Sequence, residues 1–463
     1  MSDLADGVTL IDEKPHPDMA SPRFPQIERV EASGVLGDYD YSFDFRETNR
    51  DPHSDRVRVI YARNGSGKTN LLRAVYHLLT PDIDSLQALI DIPISKLRVL
   101  FRSGATITLS RAGSLDGPYS VEISQPQGES DKDLPNKLVV EPSDFGSRVY
   151  RRVLLARADY DSYLVGLHRL QGHTIFVGDD RSVQSAVPIF KQQESFVKSF
   201  REYDRIAPRS AVIASARTQE VQESLKRIEE IFSRMAFADI SMESGQGGGA
   251  YAEITRHVLN GKKQELLAAE ARSSLLAKIS QILLRGISFE RYGLINLKQV
   301  KRIRTEIVET RSNNTKLKSL HGVLDPYLSN LLEQMDALEK TKDVIDAFVT
   351  SVNGFLERKS LSFQTLSGIT LLNRNHEMLD PEKLSSGEKH LLLLLSNAVI
   401  ASRVGCLFII DEPELSLGIE WQRKLISELL RCTAGSSVQF LIASHSVQIM
   451  TDISEVVSPR EVN

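Results

Sequence analysis

The sequence predicts an α/β protein that combines a mixed sheet, an antiparallel β-meander and a helical insertion. Short alternating runs near the N-terminus predict the meander, and apolar runs near both ends predict buried strands. Residues at heptad spacing in the middle of the chain predict the helices. A chain of 463 residues is long enough for two or three structural units.

The meander is predicted from five segments in the N-terminal part. Residues 27–30 and 39–45 alternate apolar and polar side chains around two glycines, which is typical of two strands joined by a turn. Residues 97–101, 105–109 and 119–123 repeat the alternation and are separated by turn-forming residues. We expect all five segments to lie in one antiparallel sheet.

Two groups of apolar residues in the middle of the chain follow a spacing of four and three. The first group is Val221, Leu225, Ile228, Phe232 and Met235, and the second is Leu324, Leu328, Leu331, Met335 and Leu338. This spacing predicts packed helices between about residues 192 and 348. A second hydrophobic core shared by these helices is favoured over a coiled-coil arm, and both interpretations stay open at this point.

Composition limits the classes of function. Lys and Arg number 57 and Asp and Glu 61, so the net charge of −4 excludes a global basic field for indiscriminate nucleic-acid binding. Two cysteines cannot build a disulfide framework, which indicates a reducing compartment, and we expect the cytoplasm. No apolar run reaches the length of a membrane helix, so we expect no membrane association.

The segment 62–69, Ala-Arg-Asn-Gly-Ser-Gly-Lys-Thr, has the spacing of a phosphate-binding loop, with Ala in place of the first Gly. It follows a predicted strand and begins a predicted helix, so its backbone N–H groups and the helix N-terminus can surround phosphates. Lys68 is expected to reach the β- and γ-phosphates, and the Thr69 hydroxyl to coordinate Mg²⁺. The predicted nucleotide-binding residues are Arg63, Asn64, Gly65, Ser66, Gly67, Lys68 and Thr69.

Two further apolar strands end in polar residues near the C-terminus. Residues 406–410 lead into Asp411 and Glu412, and residues 438–443 lead into Ser444, His445 and Ser446. Asp411 can hold Mg²⁺ at the strand tip, while Glu412 can orient and deprotonate the attacking water. Between the loop and these strands, the segment Leu-Ser-Ser-Gly-Glu-Lys at 384–389 precedes a long apolar helix, which places its serines at a helix N-terminus.

In this order the four motifs resemble the ABC-type P-loop ATPase heads of the SMC, RecF and OLD-like group, over residues 27–110 and 354–450. The resemblance implies that ATP and Mg²⁺ are bound between two heads of a homodimer. Glu412 and His445 would then be catalytic, with His445 sensing the γ-phosphate. The residues contacting the nucleotide of the opposite subunit would be Ser385, Ser386, Gly387 and Glu388.

The residues of the C-terminal motifs are similar to those of the ATPase subunits of bacterial anti-phage systems. The relevant families are PtuA of the Septu and retron-linked systems and AriA of the PARIS system. The chain departs from their pattern at residues 417–419, where Leu-Gly-Ile replaces Leu-His-Pro. A glutamine loop is not assignable, because Gln125 and Gln127 lie in a polar linker. No nuclease motif was found, so the resemblance implies a separate effector protein, expected to be a nuclease.

Four segments follow from these observations. Residues 1–23 are predicted as a disordered acidic tail, and residues 24–191 as the N-terminal lobe of the head. Residues 192–348 are predicted as a helical insertion that acts as lid and assembly domain, and residues 349–463 as the C-terminal lobe. The heptad faces also suggest an oligomer higher than a dimer.

Two alternatives to a defence ATPase remain open. The first is a RecF-like DNA repair factor that contacts DNA through the basic run 298–304, although a solvated helix face is favoured for that run because the chain is net acidic. The second is a scaffold in which ATP is a permanent stabilising ligand. Salt-dependent DNA binding would favour the first alternative, and negligible hydrolysis with intact motifs the second.

Overall fold

The computed structural model describes most of the chain. The described residues are 26–46, 55–80, 82–124, 137–145, 157–170, 173–185, 209–246, 268–309, 314–451, 453 and 456–462. The predicted acidic tail and the two linker glutamines lie outside these ranges.

Seven strands form an antiparallel sheet. In spatial order they are β15 (Arg460–Glu461), β2 (Tyr39–Asp44), β1 (Ile27–Val35), β4 (Lys96–Phe101), β5 (Thr106–Ser110), β6 (Tyr119–Ser124) and β7 (Lys137–Val140). Alternate residues such as Leu97, Val99 and Phe101 are buried, as expected for a sheet with one face on a core. The five predicted meander strands are all present.

A second sheet has six strands and is mixed. Its order is β14 (Val456–Val457), β3 (Val57–Tyr61), β13 (Gln439–Ser444), β12 (Leu407–Asp411), β8 (Thr174–Val177) and β9 (Val183–Ser185). The first five strands run parallel and β9 is antiparallel. Every residue of β12 and β13 is buried, because helices and the other sheet cover both faces. The predicted α/β class with a mixed sheet is confirmed.

The helices and a short hairpin complete the fold. The helices are α1 (Lys68–Leu79), α2 (Ile83–Ile90), α3 (Ala158–Arg169), α4 (Arg209–Gln246), α5 (Ala268–Arg291), α6 (Lys298–Glu309), α7 (Asn314–Phe355), α8 (Ser386–Val404) and α9 (Ile419–Cys432). The hairpin pairs β10 (Lys359–Gln364) with β11 (Gly368–Asn373). Within the described ranges, no helix is both long and apolar enough to cross a membrane.

Two hydrophobic cores lie on opposite faces of the mixed sheet. One core joins Ile409 and Leu441 to α1 and the meander sheet, so α1 is buried between the two sheets. The other core joins Phe408 and Ile410 to α8, α9 and the long helices. Gln439 links the sheets, since its side chain accepts a hydrogen bond from Ile27 N at 2.7 Å and donates one to Ile27 O at 2.9 Å.

The heptad residues pack into the second core and do not form an isolated arm. In the first group, Ile228 and Phe232 are fully buried, and in the second group Leu328 and Met335 are fully buried. All four belong to the same cluster as the strands of the mixed sheet. The helices therefore share one core with the mixed sheet, whereas the sequence favoured a second core formed by the helices among themselves. The boundary predicted after residue 348 falls inside α7, which continues to Phe355.

Candidate active site

The carboxyl ends of three parallel strands bring the sequence motifs to one edge of the mixed sheet. The register aligns Ile60 of β3, Ala443 of β13 and Asp411 of β12 across neighbouring strands. Loops that leave parallel strands at their carboxyl ends meet at the same edge, which is the usual place for ligands in such sheets. The phosphate loop, the carboxylate pair and the segment 444–446 are thus brought together.

The phosphate loop depends on two glycines with left-handed backbone. Gly65 and Gly67 both have φ of 84°, a conformation that glycine adopts without steric cost. A Cβ on Gly67 would lie 2.5 Å from a methyl group of Val35 on the meander sheet. Tyr41 of the same sheet donates a hydrogen bond to Ser66 O at 2.7 Å. The meander sheet therefore shapes the loop as well as covering α1.

Lys68 is buried at the start of α1, with only 5 % of its surface exposed. Its Nζ donates to the Ala62 carbonyl at 2.9 Å and more weakly to the Arg63 carbonyl at 3.4 Å. These two acceptors are neutral, so the ammonium charge is solvated by the loop without being neutralised. A phosphate placed over the loop would be attracted to this charge.

Asp411 is the clearest candidate for a cation ligand. Its side chain is buried, and neither carboxylate oxygen has a hydrogen-bond partner among the described residues. Burial raises the pKa of Asp411 to about 6, and the nearby charges of Asp179 and Glu412 act in the same direction, while the neighbouring Thr69 hydroxyl and the charge of Lys68 oppose them. A buried carboxylate without a partner is costly unless a cation is bound beside it.

Mg²⁺ fits this arrangement. It keeps several waters and phosphate oxygens in its shell and needs only one or two protein oxygens. Asp411 and the hydroxyl of Thr69, the two predicted metal ligands, would supply these. Among the described residues no group of three or more His, Cys, Asp or Glu side chains is arranged to hold a metal ion without such outside ligands. Bound there, Mg²⁺ would neutralise charge on the phosphates of a nucleotide.

Glu412 has a backbone conformation that non-glycine residues rarely adopt. Its φ is 48°, and its N–H donates to Ala443 O at 2.9 Å, which ties it to β13. Its carboxylate lies 3.4 Å from His445 Nδ1. Such backbone strain is concentrated at functional sites, where the surrounding structure maintains it. The structure therefore places the two predicted catalytic side chains next to each other.

Glu414 is a residue of this site for which the sequence predicted no role. Its carboxylate is buried beneath the segment 444–446 and accepts hydrogen bonds from Ser444 Oγ and from the N–H of His445. The sequence offers only a weak signal, an acidic residue in the otherwise apolar run after Pro413. Because its partners lie some thirty positions further along the chain, only the tertiary structure reveals them.

The signature segment begins helix α8 with a capping box. Ser385 is the N-cap, and its hydroxyl accepts from Glu388 N at 3.2 Å while the Glu388 carboxylate accepts from Ser385 N at 2.7 Å. Glu388 is also paired with Lys359 at 2.7 Å and is buried. Its carboxylate is thus engaged within its own chain, and its contact with a nucleotide in another subunit stays a prediction.

Ser385 and Ser386 are exposed at an open cleft of about 540 Å³. The cleft is lined on the other side by the loop that follows the carboxylate pair, including Ser416 and Gly418, and by no residue of the phosphate loop. Gly387 is required here, since an added Cβ would lie 2.6 Å from the Ser416 carbonyl oxygen. The signature is therefore packed against the loop that leads away from Glu412.

Two other segments considered from sequence have different surroundings. In the basic run, Lys298, Arg302 and Arg304 are exposed on α6, and Lys301 is paired with Glu290 at 2.9 Å. The segment 373–376 forms a turn after β11 in which the Asn373 side chain accepts backbone hydrogen bonds from residues 375 and 377. Neither segment joins the site at the sheet edge.

A family of AAA domains matches part of the chain. Residues 259–451 match the family described as "AAA domain, putative AbiEii toxin, Type IV TA system". No curated protein matches the chain.

Solved structures similar to the chain include three SMC heads. An SMC head of Pyrococcus furiosus with an extended coiled coil, bound to the C-terminal domain of ScpA, is 13 % identical, with 94 % of this chain and 96 % of that chain covered and a TM-score of 0.41. An SMC head of Pyrococcus yayanosii with a coiled coil and joint is 14 % identical, with coverages of 94 % and 96 % and a TM-score of 0.37. A third SMC head, bound to the C-winged helix domain of ScpA, is 11 % identical, with coverages of 95 % and 98 % and a TM-score of 0.39.

The family match includes the signature, the carboxylate pair and His445, and the sheet register brings the last two to the same edge as the phosphate loop. Residues 259–451 are therefore similar to an AAA domain, and this part of the chain carries three of the four motifs.

Proposed function

We propose that the protein binds ATP with Mg²⁺ at the sheet edge and hydrolyses it. The observation that carries this proposal is the buried Asp411 carboxylate, which lacks a hydrogen-bond partner beside the phosphate-loop lysine. Lys68 binds the β- and γ-phosphates, Thr69 and Asp411 hold the ion, and Glu412 takes a proton from the attacking water. His445 contacts the γ-phosphate from the neighbouring strand.

Hydrolysis assays on two variants test these roles. Lys68→Ala should abolish ATP binding, measured by calorimetry, because the loop loses its only side-chain ammonium. Glu412→Gln should bind ATP normally but hydrolyse it slower by about a hundredfold or more, because the amide cannot accept the proton. Glu309→Gln, exposed at the end of α6 and not among the residues that line the cleft, is the matched control and should behave as wild type. Either site variant turning over at the wild-type rate would contradict the assignment.

We further propose that two copies enclose ATP between their heads. The support is the exposed position of Ser385 and Ser386, which face an open cleft away from the phosphate loop of their own chain. An exposed helix N-terminus that carries serine hydroxyls suits an anion supplied by another molecule. Glu412→Gln should therefore run as a dimer or larger assembly in size-exclusion chromatography with ATP and Mg²⁺, and as a smaller species with ADP. An equal apparent size of the variant with ATP and with ADP would contradict the proposal.

The function that fits these features is nucleotide-dependent control of a separate effector, expected to be a nuclease, in defence against phage. The amino-acid sequence of the C-terminal motifs resembles that of PtuA and AriA, which supports this proposal. The toxin–antitoxin description of the matched family supports it as well. Opening of the dimer upon hydrolysis would release or activate the effector.

Capture of the effector from the native host tests this control function. The Glu412→Gln protein is purified with ATP, and Lys68→Ala is purified in parallel as the control that cannot bind nucleotide. A small nuclease present in stoichiometric amount with Glu412→Gln only would support the proposal. Recovery of DNA with replication or repair proteins, and no effector, would favour the RecF-like alternative.

A further inference from the structure

Glu414 forms a buried hydrogen-bond centre directly beneath His445. Its carboxylate oxygen Oε1 accepts from Ser444 Oγ at 2.6 Å, from His445 N at 2.9 Å and from Ser446 N at 3.2 Å. The same oxygen lies 3.2 Å from His445 Nδ1. Only 4 % of the Glu414 side chain is exposed, and its other oxygen, Oε2, is buried with no hydrogen-bond partner among the described residues. One oxygen thus determines the shape of the whole turn 444–446.

The chemistry of the carboxylate determines how His445 is oriented. A carboxylate oxygen beside an imidazole nitrogen favours the tautomer that carries its proton on that nitrogen. Nδ1 is therefore the nitrogen engaged inside the protein, and Nε2, on the far side of the ring, is left to meet a ligand. Carboxylates behind a histidine orient the ring in the same way in other catalytic sites.

Glu414 also belongs to the loop that lines the signature cleft. It comes three positions after Asp411, and Ser416 and Gly418 of the same loop line the cleft opposite the signature serines. A second link runs through Gln422 on α9. The Gln422 amide donates to the Leu417 carbonyl at 2.9 Å, and its oxygen accepts from Ser446 Oγ at 2.7 Å. The cleft loop and the His445 turn are therefore connected at two points.

We infer that Glu414 is a positioning residue that couples the cleft loop to His445. When the cleft receives another subunit, the loop at residues 415–418 and the His445 turn respond together through this carboxylate. The inference rests on the proposed ATP hydrolysis at the sheet edge and adds a route by which the cleft controls it. The phosphate loop is outside this connection, so ADP binding does not depend on it.

Glu414→Gln tests the inference, because it keeps the shape of the side chain and removes its charge. We expect kcat to fall by about tenfold or more while KM for ATP and the calorimetric Kd for ADP stay within about twofold. Trp421 is the single tryptophan of the chain and lines the cleft. Its fluorescence should differ between saturating ATP and ADP in the wild type, and this difference should be lost in the variant. A merely structural defect would instead weaken ADP binding as well.

Glu428→Gln is the matched control. Glu428 is a partly buried acid on α9 that also accepts from a serine hydroxyl, Ser351 Oγ at 2.5 Å, away from the site. The Glu428→Gln variant should keep the wild-type kcat and the wild-type difference in Trp421 fluorescence between ATP and ADP. If Glu414→Gln does not fold, Gln422→Leu cuts the second link and should reduce the Trp421 difference.

The outcomes separate the inference from the proposed function. Wild-type kcat together with an intact Trp421 difference in Glu414→Gln, or in Gln422→Leu where the first variant does not fold, would overturn the inference and leave the proposed function standing. A wild-type protein that does not hydrolyse ATP would overturn both.

Discussion

The residues around the candidate site have backbone conformations that a free chain avoids. Glu412, Arg181 and Ser416 all have positive φ, of 48°, 66° and 66°. Arg181, in the loop after β8, donates a hydrogen bond to the Ser416 hydroxyl in the cleft loop. Left-handed backbone at non-glycine residues costs about 1 kcal/mol or more, so the tertiary contacts around each residue must offset it. The strain lies where three loops meet at the sheet edge, which is where the chemistry is proposed.

His77 gives a stability prediction at the same scale. Burial lowers the pKa of His77 to about 4, and the charge of Arg73 acts in the same direction. The unfolded chain, with an ordinary histidine pKa near 6.5, binds a proton that the folded protein excludes. Stability contributed by neutral His77 is therefore complete above pH 6.5 and is lost as the pH falls towards 4.

The expected loss between pH 7.5 and pH 5 is about 1 to 2 kcal/mol in the free energy of unfolding. Urea denaturation of the wild type and of His77→Gln at both pH values measures it, because only the wild type should carry this contribution. His376→Gln changes an exposed histidine and serves as the control. Parallel pH profiles for wild type and His77→Gln would contradict the prediction.

At the scale of elements, the long helices are part of the fold of the head. Phe232 of α4 forms edge-to-face contacts with Phe348 of α7, at 5.9 Å between ring centroids, and with Phe363 of the hairpin, at 5.1 Å. These three rings join the two long helices to β10. Because the same cluster contains residues of the mixed sheet, the helices and the sheet stabilise each other.

Phe232→Ala should lower the free energy of unfolding by about 3 to 5 kcal/mol, because it leaves a cavity among three rings. The same helix supplies its own control. Phe237 is 74 % exposed, and Phe237→Ala should change stability by about 0.5 kcal/mol or less. Guanidinium or urea denaturation compares the two. Similar losses for both variants would indicate that α4 does not share the core of the head.

At the scale of the whole molecule, each chain presents two incomplete halves of the proposed site. The phosphate loop and carboxylates lie at the sheet edge, whereas the signature serines face a cleft lined by other residues. If two copies complete each other, the two halves of one functional site come from different chains.

Mixing two inactive variants tests this arrangement. Lys68→Ala destroys the loop half and Ser386→Arg blocks the cleft half, so each protein alone should be inactive. A mixed dimer has one intact pair of halves, and random exchange should restore roughly a quarter of the wild-type ATPase rate. Ser385→Arg mixed with Ser386→Arg is the control, because both sites of that dimer keep a blocked cleft. Absence of recovery in the first mixture would contradict a shared site.

The sequence by itself determined the local parts of this protein. The phosphate loop follows from glycine spacing between a strand and a helix, and the Asp411–Glu412 pair follows from an apolar run that ends in carboxylates. Meander strands and the heptad helices follow from periodicity. Such signals depend on neighbours within a few residues, so they are visible in a single chain.

Only the tertiary structure decided how these parts meet. Contacts between distant residues placed Glu414 beneath His445, directed the Glu388 carboxylate to Lys359 and joined the heptad helices to the sheet in one core. A buried acid and an exposed acid look alike in sequence, because burial depends on what packs against them. Periodicity likewise predicts that a helix has an apolar face but does not identify the partner that covers it.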